Sequence, residues 1–167
     1  MNKIKFILFL ISITALNSCS VYNFTGTGKI DAKTFQVNNF QNNALLIEPG
    51  IERIFTQKLQ NLIQNQTNLN LIRTEGDLIY EGEITDYSIT PMAPTADQTA
   101  SQNRLTITIN VRFTYKNKEK DSFEKKFSHF HDFTGSQQLV GSQLSDALDD
   151  IFGRITQNIF NESLAKW

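Results

Sequence analysis

Apolar residues recur along this chain with two different periods, and the switches between them outline a fold. Thr34 to Phe40 (T-F-Q-V-N-N-F) sets Phe35 and Val37 between polar neighbours, which predicts a short first strand. From Ile51 the apolar positions are Ile51, Ile54, Phe55, Leu59, Leu62 and Ile63, the spacing of one face of an amphipathic helix that runs to about Gln64. Leu69, Leu71 and Ile72 predict a brief second strand. Gly76-Asp77 then turns the chain into a long strand over residues 78–90, in which Gly82 marks a bulge or a close approach. Pro91, Pro94 and the polar run up to Gln102 predict a loop of about a dozen residues, long for a hairpin.

The strictest alternation follows. Leu105, Ile107, Ile109, Val111, Phe113 and Tyr115 stand against Arg104, Thr106, Thr108, Asn110, Arg112 and Thr114, which predicts a half-buried strand with one apolar and one polar face. After a polar turn at Asn117–Lys120, Phe123, Phe127 and Phe133 share one face of a further strand with Lys125, His129 and His131. Charges mixed with aromatics in this way protect an edge strand from unwanted pairing. Leu144, Leu148, Ile151, Ile155 and Ile159, widened by Ala147, Phe152 and Phe160, predict a second helix from about Ser142 to Lys166. The order β-α-β-β-β-β-α predicts the α+β class: a two-layer α/β sandwich, its mixed four- to five-stranded sheet carrying two long helices packed on one face. Its first βαβ unit is expected to be right-handed.

The amino terminus follows a different pattern. Lys3 and Lys5 precede an apolar run, Phe6 to Leu16, broken only by Ser12 and Thr14, and Leu16-Asn17-Ser18-Cys19 follows. This predicts a lipoprotein signal peptide over residues 1–18, since the run is too short for the about 20 residues that span a bilayer. Cys19, the one cysteine of the chain, is then the acylated residue that joins the protein to a membrane, with palmitate among the expected chains. An uncleaved anchor is the competing reading, and the shortness of the run argues against it. A single cysteine excludes a disulfide within the chain. Residues 19–33, with Phe24-Thr25-Gly26-Thr27-Gly28, predict a flexible lipidated tether reaching at most about 50 Å. Residues 34–167 then form one domain of ordinary size.

Charge and composition narrow the chemistry. A net charge of −1, more acidic still once Lys3 and Lys5 are removed, gives no footprint for nucleic acid. Thirteen phenylalanines against one tryptophan suggest a Phe-rich core or groove. His129 and His131 share a strand face but lack a third ligand, with Asp132 on the other face, so no metal is expected. Glu81 and Glu83 share one face of their strand and Asp86 is placed on the other, which reads as solvated carboxylates and not a glycosidase pair. No G-x-S-x-G elbow is present, Gly26-Thr27-Gly28 lacks the lysine of a phosphate loop, and Asp149-Asp150 reads as a solvated helix face. No enzyme and no cofactor are expected. Arg104, Arg112, Lys116, Lys125 and Lys126 lie on adjoining long strands, and such a row could meet the phosphates of a lipopolysaccharide or acidic sugars. An ordinary mixed-charge surface is the plainer reading of the same residues. Tyr80, Tyr87 and Tyr115 fit core edges or interface anchors.

Several blocks of the chain together resemble the LptE family of lipoproteins of the Bacteroidetes type. They are C-S-V-Y-N-F-T-G (Cys19–Gly26), V-N-N-F-Q-N-N-A (Val37–Ala44), G-D-L-I-Y-E-G-E-I-T-D-Y-S-I-T-P (Gly76–Pro91), N-R-L-T-I-T-I-N-V-R-F (Asn103–Phe113) and N-I-F-N-E-S-L-A-K-W (Asn158–Trp167). The resemblance implies an outer-membrane lipoprotein of lipopolysaccharide transport, with a sandwich of two helices over a sheet. It implies a large β-barrel partner, LptD, which the protein plugs from within the lumen and whose assembly it assists, facing the periplasm from its lipid anchor. Relatives are described as binding lipopolysaccharide through basic residues; that site does not carry over position by position, so the five basic residues above rest on their chemistry alone. A stand-alone periplasmic lipoprotein that binds a lipid or glycan on its sheet is the alternative.

Overall fold

The computed structural model describes residues 30–46, 48–92, 102–135 and 139–165. Its elements are β1 (Thr34–Val37), β2 (Gln41–Asn42), α1 (Ile51–Gln66), β3 (Asn70–Leu71), β4 (Leu78–Pro91), β5 (Gln102–Tyr115), β6 (Phe123–Thr134) and α2 (Gly141–Leu164), with a 3-10 turn at Glu119–Asp121 before β6. The sheet runs β3-β1-β4-β5-β6, and β2 also pairs with β4. β1 lies parallel to β3 and β4, while β5 is antiparallel to both β4 and β6. The expected α+β sandwich is therefore present, with six strands in place of four to five. Cys19 and most of the expected 91–102 loop lie outside the described residues.

The additional strand arises because the predicted first strand breaks in two. Val37 pairs with Tyr80 but Gln41 with Glu83, so the register slips by one residue between β1 and β2. Phe40 causes the break by turning into the core. Its amide donates to Thr56 Oγ1 at 3.2 Å, and its ring meets Phe55 edge-on at 4.9 Å.

Gly82 makes a close approach and not a bulge. A Cβ there would stand 2.0 Å from the Asn110 carbonyl oxygen and 2.9 Å from Cε1 of Phe40. The bulge of β4 falls three positions on, between Ile84 and Asp86. Leu78, Tyr80 and Ile84 point inward before it, Tyr87 after it. Asp86 is thereby carried to the same outer face as Glu81 and Glu83, which corrects the strict alternation read from sequence.

Both helices cover the other face and share one core with it. α1 buries Ile51, Phe55, Leu59 and Ile63, but Ile54, expected among them, is 44 % exposed. α2 buries Ala147, Leu148, Ile151, Phe152, Ile155, Ile159 and Phe160 as its spacing predicts. Gly50, at φ 86°, takes the left-handed conformation that lets Pro49 lead directly into α1. At the other end Thr67 Oγ1 donates to the Ile63 carbonyl at 2.7 Å and accepts from the Leu69 amide, turning the chain toward β3. Deep in the core the Tyr80 hydroxyl bonds Ser163 Oγ at 3.0 Å, and Ser163 in turn donates to the Ile159 carbonyl. Burial pushes the Tyr80 phenol well up from its ordinary value.

The molecule has two distinct ends. Lys58 pairs with Asp149, and Gln66 Nε2 donates to Gln157 Oε1 at 3.2 Å, contacts of the same sequence separation, so the helices run parallel and side by side. Lys125 meets Glu162 and His131 meets Asp150, so α2 runs back along β6. Both helix N-termini therefore lie at the end where β4 and β6 finish. The chain enters at the opposite end. There Ile30 and Ala32 pack against the core, and the amides of Lys33 and Thr34 donate to Asp77 Oδ2 at 2.9 and 3.0 Å. Asn117 Nδ2 holds the Asp31 carbonyl at 3.2 Å. Residues 30–33, expected to belong to the tether, are part of the domain because this clamp ties them to it.

Candidate functional site

With both helices on one side, the outer face of β4, β5 and β6 is left uncovered, and its side chains follow from register. Glu81, Arg112 and Glu124 form one cross-strand rung, and Glu83, Asn110 and Lys126 the next. Asp86, Thr108 and Ser128 follow, then Ser88, Thr106 and Phe130, and last Thr90, Arg104 and Asp132. The alternation of β5 thus places Arg104 and Arg112 on this face as the sequence predicts.

Neither arginine is free to meet an incoming anion. Arg112 reaches Glu83 Oε2 at 3.0 Å, Glu81 Oε1 at 3.5 Å and Glu124 Oε1 at 3.8 Å. Asn110 Nδ2 ties the same carboxylates together, at 2.9 Å to Glu83 and 2.7 Å to Glu124. These bonds, the one from Asn110 first and those from Arg112 after it, hold the Glu83 carboxyl below its usual range. The guanidinium of Arg112 is raised in turn, chiefly by Glu83. Arg104 makes a two-pronged bond to Asp132, at 2.7 and 2.8 Å, while its Cζ sits 3.7 Å from the centre of the Phe130 ring. The Arg104 bond depresses the Asp132 carboxyl. Further hydrogen bonds extend the network to β1 and across to β6, from Asn38 to Glu81 at 3.0 Å and between Thr108 and Ser128 at 3.0 Å. Acidic groups outnumber basic ones on the face, and among the described residues most of its polar side chains bond a neighbour, Thr90, Thr106 and Lys126 excepted.

The other expected basic residues scatter. Lys126 is exposed on the outer face, Lys125 points to the helix side and pairs with Glu162 at 2.7 Å, and Lys116 lies in the β5–β6 turn near Asp77. The five do not form one row. Sequence parity located Arg104 and Arg112 correctly but carried no information about the carboxylates across the strands, which only register supplies. His129 and His131 also face the helix side, where His131 Nδ1 lies 3.0 Å from Asp150 Oδ2 and lowers that carboxyl. Among the described residues, no group of three or more His, Cys, Asp or Glu side chains could hold a metal ion. No helix among them is long and apolar enough to cross a membrane.

The fold is thus a two-layer α+β sandwich with one helix-covered face and one hydrogen-bonded polar face. A sequence model of the LptE family, described as lipopolysaccharide-assembly, matches residues 32–163, and the chain belongs to that family. No curated protein matches it in sequence. Among solved structures, a neuraminyllactose-binding hemagglutinin homolog from Helicobacter pylori superposes with a TM-score of 0.53 at 8 % identity, covering 79 % of this chain and 86 % of that one. It shows a shared fold. The protein CT253 from Chlamydia trachomatis reaches a TM-score of 0.49 at 9 % identity over 81 % and 99 % of the two chains. Rare lipoprotein B from Shewanella oneidensis reaches 0.43 at 10 % identity over 76 % and 89 %.

Proposed function

We propose that this member of the lipopolysaccharide-assembly family is exported, acylated at Cys19 and held at the periplasmic leaflet of the outer membrane. There it plugs and helps to assemble an LptD-like β-barrel through which lipopolysaccharide reaches the surface. The observation that carries the reading is the family match together with an uncovered sheet face whose polar groups are already hydrogen-bonded to one another. Such a face is stable in the water-filled lumen of a large barrel, where an apolar face would not be. Several acyl chains on Cys19 would give stable anchoring, where one chain is marginal. The entry of the chain beside Asp77 would set that end of the sandwich toward the anchor and the helix N-termini away from it.

The protein's part is physical and not covalent. Of the five basic residues considered for phosphate contact, Arg104, Arg112 and Lys125 are committed to Asp132, Glu83 and Glu162. Contact with lipid phosphates therefore falls to Lys116 and Lys126, which make no ion pair among the described residues. Depletion of the protein in its own cell tests the function. Surface lipopolysaccharide should fall, and the barrel should accumulate in an unassembled form; unchanged surface lipopolysaccharide and a normal barrel would reject the proposal.

A further inference from the structure

Beside the N-termini of the two parallel helices lies an open groove of about 720 Å³ that the sheet-face account leaves unused. Its apolar surface comes from Ile54 and Leu144, and Glu48 and Asp146 stand on its rim. Ile54 is the residue that the helical pattern assigns to the core and that the fold leaves 44 % exposed. Other apolar side chains are exposed in the segments leading into the two helices: Leu45 at 103 % and Leu46 at 59 % before α1, and Val140 at 63 % before α2. Asp149 on the groove wall pairs with Lys58, and Asp150 lies 3.9 Å from Arg154 Nε and 3.0 Å from His131 Nδ1. Glu48 and Asp146 have no cationic partner among the described residues.

We propose that this groove is the docking site for a segment of the barrel partner that carries an arginine or lysine next to an apolar side chain. This inference rests on the proposed barrel partnership and assigns the surface that serves it. The volume has room for a few side chains. An apolar anchor would cover Ile54 and Leu144 while its basic neighbour reaches Asp146 or Glu48, which supplies the cation the rim lacks. Charge decides among occupants. Anionic lipid headgroups would meet carboxylates. A second copy docked with two-fold symmetry would bring the same acidic rim against itself. The groove also lies at the end of the domain away from the point where the chain enters, so a partner can reach it without competing with the membrane anchor.

The test uses the full-length, lipidated chain purified from its own outer membrane. A photo-crosslinking residue at Ile54 should join the chain to the barrel, and the same residue at Thr106 on the outer sheet face serves as comparison. The double variant Glu48→Lys/Asp146→Lys should retain about tenfold less barrel than the wild type at an unchanged unfolding temperature. Ile54→Arg, which supplies a cation to the rim from within the chain, should also lower retention, and it keeps the test decisive if the double variant unfolds. Wild-type barrel retention by folded variants would overturn the groove, as would crosslinking from Ile54 to a second copy or to lipid alone. A wild-type chain that retains no barrel would instead defeat the partnership itself, and the groove with it.

Discussion

At Gly82 the absence of a side chain lets the Asn110 carbonyl and the Phe40 ring close on β4 from two sides, because a Cβ would collide with both. Gly82→Ala is therefore expected to destabilise the domain by at least about 2 kcal/mol, read as a lower thermal midpoint, since backbone must move to accommodate it. Tyr80→Phe should cost only about 1 kcal/mol in the same measurement. It removes one buried bond, while Ser163 keeps its other bond to the Ile159 carbonyl. The carboxyls of Asp77, Glu83, Asp132 and Asp150 are all lowered in the folded state, each chiefly by a hydrogen bond, from Lys33, Asn110, Arg104 and His131 in turn. A lowered carboxyl contributes stability above its unfolded value, and that contribution fades as pH falls through the folded one. The thermal midpoint should therefore be steady near neutrality and drop as pH falls below the ordinary values of 3.8 for Asp and 4.5 for Glu. A midpoint at pH 3 equal to that at pH 7 would contradict these assignments. Little of this was legible in the sequence. Alternation showed which way Arg112 points, but its three carboxylates come from β4 and β6 and are set by pairing register.

At the scale of elements the sequence was more informative, and its failures are local. The strict period of β5 and the three-and-four spacing of α2 predict those elements and their buried faces, because each buries one unbroken stripe. β4 departs from its pattern because the bulge after Ile84 exchanges its faces, and sequence periodicity does not register an inserted residue in a mixed apolar and polar run. Deleting Thr85 should remove the bulge while Asp86 stays opposite Thr108 and Tyr87 opposite Ile107, so that Tyr87 remains inward. Denaturant unfolding checks this register: a loss of roughly 1.5–3 kcal/mol, the cost of exposing a buried apolar side chain, would contradict it. The first strand was read on to Phe40 from the alternation of Phe35 and Val37, although Phe40 falls out of that period. Its inward turn toward Phe55 and Thr56 is a tertiary choice that splits the strand. Ile54 was misplaced for a related reason: α1 needs only part of its apolar arc for the core, and the remainder faces the groove.

At the scale of the molecule, the two ends of the sandwich carry different work. One receives the incoming chain through the Asp77 clamp, and the other gathers both helix N-termini and the exposed apolar side chains. Between them lies a sheet face whose arginines and carboxylates satisfy one another. Class and layering could be read from sequence because periodicity reports on burial. The parallel alignment of the helices, the groove and the neutralised face could not, since they depend on which elements become neighbours. If this domain works inside a barrel, the two should leave the membrane together. Affinity purification of the tagged full-length chain from its own outer membrane, with the composition of the eluate quantified, reads this out. A large β-barrel protein should be recovered in a one-to-one ratio with the chain; a chain recovered alone, from cells whose surface lipopolysaccharide is normal, would rule the barrel partnership out.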